Sequence, residues 1–505
     1  MKKITPVIMV RSLNVKRGGV TKASVKRANV LAKEHKEVII VTFLFQQNYK
    51  KIIQEFYDKS LLEKNVRVVN FFEDLKPVKK QLKISRKQKK LHFVDEKGFI
   101  KFPVKKKGKE LCYRYYKDGL YLKYKSFNED GSIKFIDYMD ASRHRIRREE
   151  FDEHGILVRT RQMDRNTNKP RLDQYFDYKG NCYLSVHVNP STGKEGRAAR
   201  FVTNPQEYEK LHNLQQEWFN TFLQGINYPV ITCELRGLHK ILREVKHDKA
   251  KKIEVVHTNH LKAPFNDKKR IKESYKELFQ HADELDKVVF LTNEQKEDVE
   301  SVYGQRKNFT VIPHSCQVDS ESVGESNDYN PKLAVTLARY HEDKRLDEAI
   351  QAFKYVVEKI PDAKYYIYGN GPLEEYLQNL IEKLNLQKNV FLKGYTDTPK
   401  DIYIKAACSI LTSKQEGFAM VITESMAVGT PVIAYNIKYG PEDIINNEIN
   451  GCLVEQGDKQ ALANRIIKVM EEKGYRNKLS LNTAITRERF SEDKFEKSWL
   501  DEMKP

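Results

Sequence analysis

Short apolar runs, each followed by a stretch with apolar residues at helical spacing, organise both ends of this chain. Residues 6–10 are apolar, residues 11–19 are polar and close on Gly18-Gly19, and residues 20–35 carry helical spacing. Residues 38–43 form a β-branched run of the kind found in buried strands. The rhythm stops near residue 70 and resumes near 211. Strands are then predicted at 229–232, 253–257, 287–291, 309–313, 333–337, 364–368, 390–393, 408–412, 431–434 and 451–454. This alternation predicts an α/β architecture of parallel sheets covered on both faces. A polar stretch at 319–330 breaks it and reads as a linker. The expectation is two Rossmann-like domains facing a cleft, with ligands at the carboxyl ends of the strands.

The middle of the chain has a different period. Residues 71–210 are rich in Tyr, Phe, Lys and Arg, and their turn signals include Lys117-Asp118-Gly119. A unit recurs at Phe127 to Gly131, Phe151 to Gly155 and Phe176 to Gly180, flanked by alternating residues such as Ile133-Lys134-Phe135-Ile136-Asp137-Tyr138. That pattern predicts an antiparallel β-meander inserted into the α/β chain, suited to binding or assembly. The domains are therefore set at 1–70 with 211–318, the insertion at 71–210, a second Rossmann-like domain at 331–490, and a C-terminal helix at 491–505.

Composition narrows the partners. A 505-residue chain that is 40% apolar can bury two large cores. No stretch approaches the roughly 20 apolar residues that span a bilayer. The apolar run 7–10 is too short for a signal peptide and meets Arg11, so a cytoplasmic protein is expected. Cys112, Cys182, Cys233, Cys316, Cys408 and Cys452 are scattered, as reduced thiols would be. The basic residues behind the net charge of +20 concentrate in the first part of the insertion, at Lys76, Lys79, Lys80, Lys83, Arg86, Lys87, Lys89, Lys90, Lys105, Lys106 and Lys107. Such an excess attracts polyanions, and charge alone does not choose among nucleic acid, anionic lipid and a phosphate-rich polymer.

Candidate chemistry lies at strand ends. Gly18-Gly19 sits between the first strand and the first helix, where bare backbone can approach a phosphate. Arg339 follows the strand at 333–337, and Lys344 precedes the next helix. Two cations at that edge suit a diphosphate leaving group. Glu416 stands in the loop after 408–412, with Gly417 permitting close backbone approach, and Glu424 stands in the apolar helix beyond, where a carboxylate needs a partner. His257 ends a β-branched strand. No Asp-x-Asp pair stands near a strand end.

Together these residues resemble glycosyltransferase family 4, retaining enzymes of the GT-B fold. More narrowly they resemble the wall teichoic acid α-glycosyltransferases, in particular those acting on poly(glycerol phosphate). The narrower likeness rests on Gly18-Gly19-Val20-Thr21-Lys22, His257-Thr258-Asn259-His260, the β-rich basic insertion, and residues 389–397 with Gly394-Tyr395. The resemblance implies that Gly18, Gly19 and Val20 bind the donor, His257 touches the transferred sugar, and Arg339 with Lys344 holds the diphosphate. Glu416, with Gly417, Phe418, Ala419 and Met420, would engage the sugar, Glu424 the ribose, and Gly394 and Tyr395 the donor. Ala419 departs from the family's second glycine in the Glu-Gly-Phe-Gly turn, which leaves the donor sugar open between glucose and N-acetylglucosamine. The family needs no metal and no cofactor besides the UDP-sugar co-substrate. Its implied partners are an anionic teichoic acid polymer rather than nucleic acid, further copies of the chain (a trimer among the options), and the inner face of an anionic membrane. Two alternatives stay open: a protein O-N-acetylglucosaminyltransferase acting on serine-rich adhesins, and a non-catalytic polyanion-binding protein on the same scaffold.

Overall fold

A computed structural model describes residues 4–15, 19–79, 93–106, 109–202, 204–316 and 329–504. It divides into two compact units, residues 1–231 with 240–250, and residues 232–239 with 251–505.

The first unit opens with parallel strands β1 (Thr5–Val10), β2 (Val38–Thr42) and β3 (Val66–Asn70). All five residues of β2 are buried, as the β-branched run predicts for a strand covered on both faces. The helix Val20–Glu34 links β1 to β2. The helix Phe71–Leu75, capped by the Asn70 side chain, turns Phe71, Phe72 and Leu75 into the core. Phe43, Phe71 and Phe72 meet Trp218 or its neighbours edge to face, and the Trp218 indole donates to Asp74.

Ten strands then form one antiparallel sheet: β4 (Ile100–Lys106), β5 (Lys109–Lys117), β6 (Leu120–Phe127), β7 (Ile133–Met139), β8 (Arg145–Phe151), β9 (Leu157–Met163), β10 (Pro170–Phe176), β11 (Cys182–Val188), β12 (Glu195–Arg200) and β13 (Gln206–Tyr208). Each pairs with its neighbours in sequence, so the sheet is a pure meander. The recurring unit has a local cause. Asp152 and Asp177 follow the phenylalanine, and each carboxylate accepts backbone N–H groups two and four residues on. Gly155 and Gly180 then take the positive φ that closes the turn, at 75° and 83°. Cross-strand pairs hold one face, with Arg148 on Asp137 at 2.7 Å and Arg161 on Asp173 at 2.8 Å. The sheet docks on the core of its unit, where the Tyr183 hydroxyl donates to the Phe72 carbonyl at 2.9 Å and Tyr175 packs on Phe45 and Phe72.

The basic run is partly spoken for. Lys76 is not part of a solvated surface: its side chain is 2% exposed, pairs with Glu73 at 2.6 Å and lies over the Tyr178 ring. Lys79 pairs with Asp74. Lys105 is exposed, whereas Lys80, Lys83, Arg86, Lys87, Lys89, Lys90 and Lys107 lie outside the described residues, as does the Lys106 side chain. After the helix Leu211–Gln224 the chain enters β14 (Pro229–Cys233).

In the second unit, β15 (Lys251–Val256), β16 (Lys287–Phe290) and β17 (Phe309–Val311) run parallel. Residues 317–328, most of the expected linker, lie outside the described residues, and Asn330 already opens a strand. A six-stranded parallel sheet follows: β18 (Asn330–Leu337), β19 (Lys364–Tyr368), β20 (Val390–Gly394), β21 (Ala406–Leu411), β22 (Val432–Asn436) and β23 (Gly451–Glu455). Its order is β20-β19-β18-β21-β22-β23. Ala334, Ile350, Phe353, Tyr365, Ile433 and Ile466 form its core with the covering helices. The order reverses between β18 and β21, so the loops leaving these adjacent strands diverge and open a crevice at their carboxyl ends. Among the described residues no helix is long and apolar enough to cross a membrane.

Candidate active site

The crevice at the β18–β21 switch point brings two of the predicted residues, Lys344 and Glu416, together as an ion pair. Beyond β18 a single turn of tight helix, Glu342–Lys344, is capped by His341 and ends on Arg345 in the left-handed region. That turn carries Lys344 to the loop after β21, where its ammonium lies 2.5 Å from Glu416 Oε1. The Ser413 hydroxyl donates to the same oxygen at 2.7 Å. Two further hydrogen bonds lock the loops together, from Thr412 Oγ1 to the Lys344 carbonyl and from the Lys414 N–H to the Asp343 carbonyl. With side chains 20% and 16% exposed, the pair is shielded enough for its charge-assisted bonds to be strong. Arg339 stands exposed on the same edge and makes no ion pair among the described residues.

A second seam brings the end of β15 to this loop. A Cβ built on Gly417 would fall 1.9 Å from the His257 carbonyl oxygen, so only glycine lets the two backbones meet. The His257 side chain is 4% exposed, and its Nε2 lies 2.6 Å from the Glu234 carboxylate. That acceptor places the proton on Nε2 and fixes the ring, which also stacks on His314. The Lys438 carbonyl accepts from both the Glu416 N–H and the Asn259 amide, and the Tyr439 N–H donates back to the Glu416 carbonyl. Lys438 is itself held by Asp298 and Glu294, and Tyr439 donates to Asp298 at 2.9 Å. Burial pushes the Asp298 carboxyl up, but hydrogen bonds from Lys268, Lys438 and Tyr439 prevail and hold it below its ordinary value. Beside it, burial drives the His260 imidazole down to about 3, so it stacks on Tyr439 as a neutral ring.

The remaining predicted residues divide. Phe418 is buried, and its ring packs between His314 and Phe490. Ala419 is the N-cap of the helix Met420–Ala427 and takes φ 63°, ψ 59°. That left-handed geometry favours glycine over alanine. Glu424 stands half-buried on the same helix, and its charge adds to burial in raising the Tyr403 hydroxyl. Gly394 ends β20 at φ 73° and accepts from the Gly369 N–H, while Tyr395 beyond it is 55% exposed. Gly19 (φ 61°) caps the helix that Val20 begins in the first unit, without a side-chain cap. Gly18 lies outside the described residues. Sequence reasoning passes over Glu234, Asp298 and Lys438, which orient His257 and Glu416 from distant segments. Among the described residues no three His, Cys, Asp or Glu side chains group as metal ligands.

The strain at Ala419 is open to a direct test. An alanine in the left-handed region costs about 1–2 kcal/mol, only part of which is offset by the extra freedom glycine gives the unfolded chain. Ala419→Gly should therefore stabilise the protein by about 0.5–1 kcal/mol, read as a higher urea midpoint, and Ala419→Val should lower it. A lower midpoint for the glycine variant would contradict the strain.

Comparison with known proteins places this geometry. Residues 317–485 match the family Glycosyl transferases group 1. Residues 8–196 match Glycosyl transferase 1 domain A. Poly(glycerol-phosphate) alpha-glucosyltransferase of Bacillus subtilis (strain 168) is 29% identical over 499 residues, 95% of this chain and 72% of its own. Poly(ribitol-phosphate) alpha-N-acetylglucosaminyltransferase of Staphylococcus aureus (strain COL) is 28% identical over 93% of both chains. A crystal structure of a mutant S. aureus TarM in complex with fondaparinux, alpha-GlcNAc-glycerol and UDP superposes with a TM-score of 0.84 at 24% identity, over 99% of this chain and 100% of that one. One family match spans residues 8–196 and the other the six-stranded sheet whose crevice carries the cations and carboxylate at the ends of adjacent parallel strands: residues 317–485 are a group 1 glycosyltransferase domain, and the chain has the GT-B fold.

Proposed function

We propose that this enzyme is a retaining α-glycosyltransferase of family 4 that moves glucose, or N-acetylglucosamine, from a UDP-sugar to the polyol phosphate of wall teichoic acid. The observation that carries the reading is the shielded Lys344–Glu416–Ser413 cluster beside exposed Arg339 at the sheet's switch point. Both relatives act by name on polyol-phosphate polymers, and the net charge of +20 suits a polyanionic acceptor better than a protein one.

In this reading Arg339 and Lys344 take up the negative charge that develops on the departing diphosphate, so electrostatic stabilisation needs no metal. Glu416 orients Lys344 and accepts from a sugar hydroxyl, while the backbone from Gly417 to Met420 lines the sugar. Glu424 takes the ribose, and His257, fixed by Glu234, lies against the transferred sugar. The bond from the anomeric carbon to the leaving oxygen breaks as the acceptor hydroxyl adds on the same face, and its proton passes to the leaving phosphate oxygen. A non-catalytic scaffold would have no use for this cluster. Assembly of further copies has support in β4, an edge strand whose Ile100 and Phe102 are 68% and 53% exposed. The net charge of +20 also fits a place at the cytoplasmic face of an anionic membrane.

Separate incubations test the proposal. UDP-glucose and UDP-N-acetylglucosamine are each offered with glycerol-phosphate polymer, ribitol-phosphate polymer or an adhesin repeat peptide, and products are weighed by mass spectrometry. One hexose mass should appear on a polyol-phosphate polymer with one donor. Transfer to peptide alone, or to nothing, would overturn the reading.

A further inference from the structure

Three cations without a carboxylate of their own border the Lys344–Glu416 pair. Arg236, on the short turn after β14, donates to Thr258 Oγ1 at 2.7 Å and to Ser274 Oγ at 3.2 Å, and it lies over the Tyr275 ring at 4.0 Å. Lys272, just before the helix Glu273–Gln280, donates to the Asn259 carbonyl at 2.7 Å and meets the Gln415 amide oxygen at 3.3 Å. Lys414 and Lys272 lie 5.7 and 5.5 Å from the centre of the same Phe265 ring. None of the three makes an ion pair among the described residues, and the neighbouring Glu273 is engaged by Lys262 and Lys276.

Their anchors are adjacent in sequence to the reaction centre. Thr258 follows His257, and Lys414-Gln415 precedes Glu416. Like charges gathered in a half-buried place repel one another and lose hydration, a cost that persists where an anion relieves it. Burial, followed by the positive charge of Arg236, brings the Lys272 ammonium down to about 8 against a smaller upward pull from Asp343.

We infer that Arg236, Lys272 and Lys414 form a phosphate site for the acceptor, holding the phosphodiester next to the polyol that receives the sugar. This rests on the polyol-phosphate reading above. A phosphodiester offers two non-bridging oxygens to the guanidinium and the two ammoniums, which have no anion of their own to release first. The site sets the register of the polymer, so one polyol at a time faces His257 and Glu416.

The diphosphate of the donor is the competing source of phosphate, and the test separates the two. Binding of a fluorescent glycerol-phosphate oligomer is measured by anisotropy without donor, and UDP binding is measured by calorimetry, for Arg236→Gln, Lys272→Gln, Lys414→Gln and the conservative Lys272→Arg. Each neutral variant should weaken the oligomer about tenfold or more while moving UDP affinity less than twofold, and Lys272→Arg should restore most of the oligomer affinity. Circular dichroism checks that each variant is folded. With wild type, oligomer affinity should fall as pH rises through 8, because Lys272 loses its charge, and the slope should vanish in Lys272→Arg. The charged groups that face Lys272 are Arg236, Asp343 and, across the Phe265 ring, Lys414. Equal weakening of UDP and oligomer would assign the cations to the donor, and unchanged oligomer affinity would remove the site altogether. If the oligomer arm succeeds but no sugar is transferred to any polymer, the catalytic reading fails and the phosphate site stands.

Discussion

Glu416→Gln leaves the shape of the crevice intact and should lower turnover by about 10²–10³-fold, with the protein still folded. Glutamine fills the same volume and can still accept from Ser413. It no longer carries the charge that holds the Lys344 ammonium at 2.5 Å. A freed lysine on a loop samples several rotamers, and in the proposed mechanism its charge is then out of place when the bond to the leaving group breaks. Lys344→Ala should cost a similar factor by removing that charge outright. Because both changes disable one unit, the double variant should be little worse than either single one. Single-turnover rates on polymer check this, with circular dichroism to confirm folding. Near-normal turnover in both single variants would refute the site.

Gly417→Ala should be one of the more damaging one-carbon changes in the chain. The added methyl would lie 1.9 Å from the His257 carbonyl oxygen and 3.1 Å from Thr258 Cα, and neither is a flexible side chain that can swing away. The backbone must part, at a cost of about 1–3 kcal/mol, as for other forced insertions into packed sites. The displaced pieces are the loop bearing Glu416 and the strand end bearing His257. A shift near 1 Å in catalytic groups costs about 10²-fold in rate. The expected result is a lower urea midpoint together with that loss of turnover. An alanine variant with wild-type midpoint and rate would show that the two backbones do not meet as described.

Much of this is legible in sequence wherever a local rule decides. The loop after an apolar run carries polar groups at a carboxyl edge, so Arg339, Lys344, Glu416 and His257 can be picked out once strands and helices are seen to alternate. The Phe-x-x-x-Gly repeat reads as hairpins because Asp152 and Asp177 bind their own backbone a few residues on. What escapes is pairing across long separations. Glu234 follows the buried strand that ends at Cys233, and nothing near it points to His257. Lys438 and Asp298 meet from segments 140 residues apart. Lys76 belongs, by composition, with its basic neighbours, yet one turn of helix carries it beneath Tyr178 to Glu73. Phe418, within the motif read from the sequence as a sugar site, is a core residue.

The order of strands in the first unit also sets a timetable for synthesis. Strand β1 lies between β2 and β14, with the Thr5 N–H donating to the Tyr228 carbonyl just before β14 begins. The whole antiparallel sheet is translated between β3 and β14. At about 5–20 residues per second, the ribosome needs roughly ten to thirty seconds to pass from one to the other. The meander can zip hairpin by hairpin as it emerges, since every pairing is local. Strand β1 has no such option: one of its edges stays open, with unpaired N–H and C=O groups and an apolar flank, until β14 leaves the exit tunnel. The nascent chain is therefore most prone to aggregate, and most in need of a chaperone, during the interval when its largest sheet is still being made.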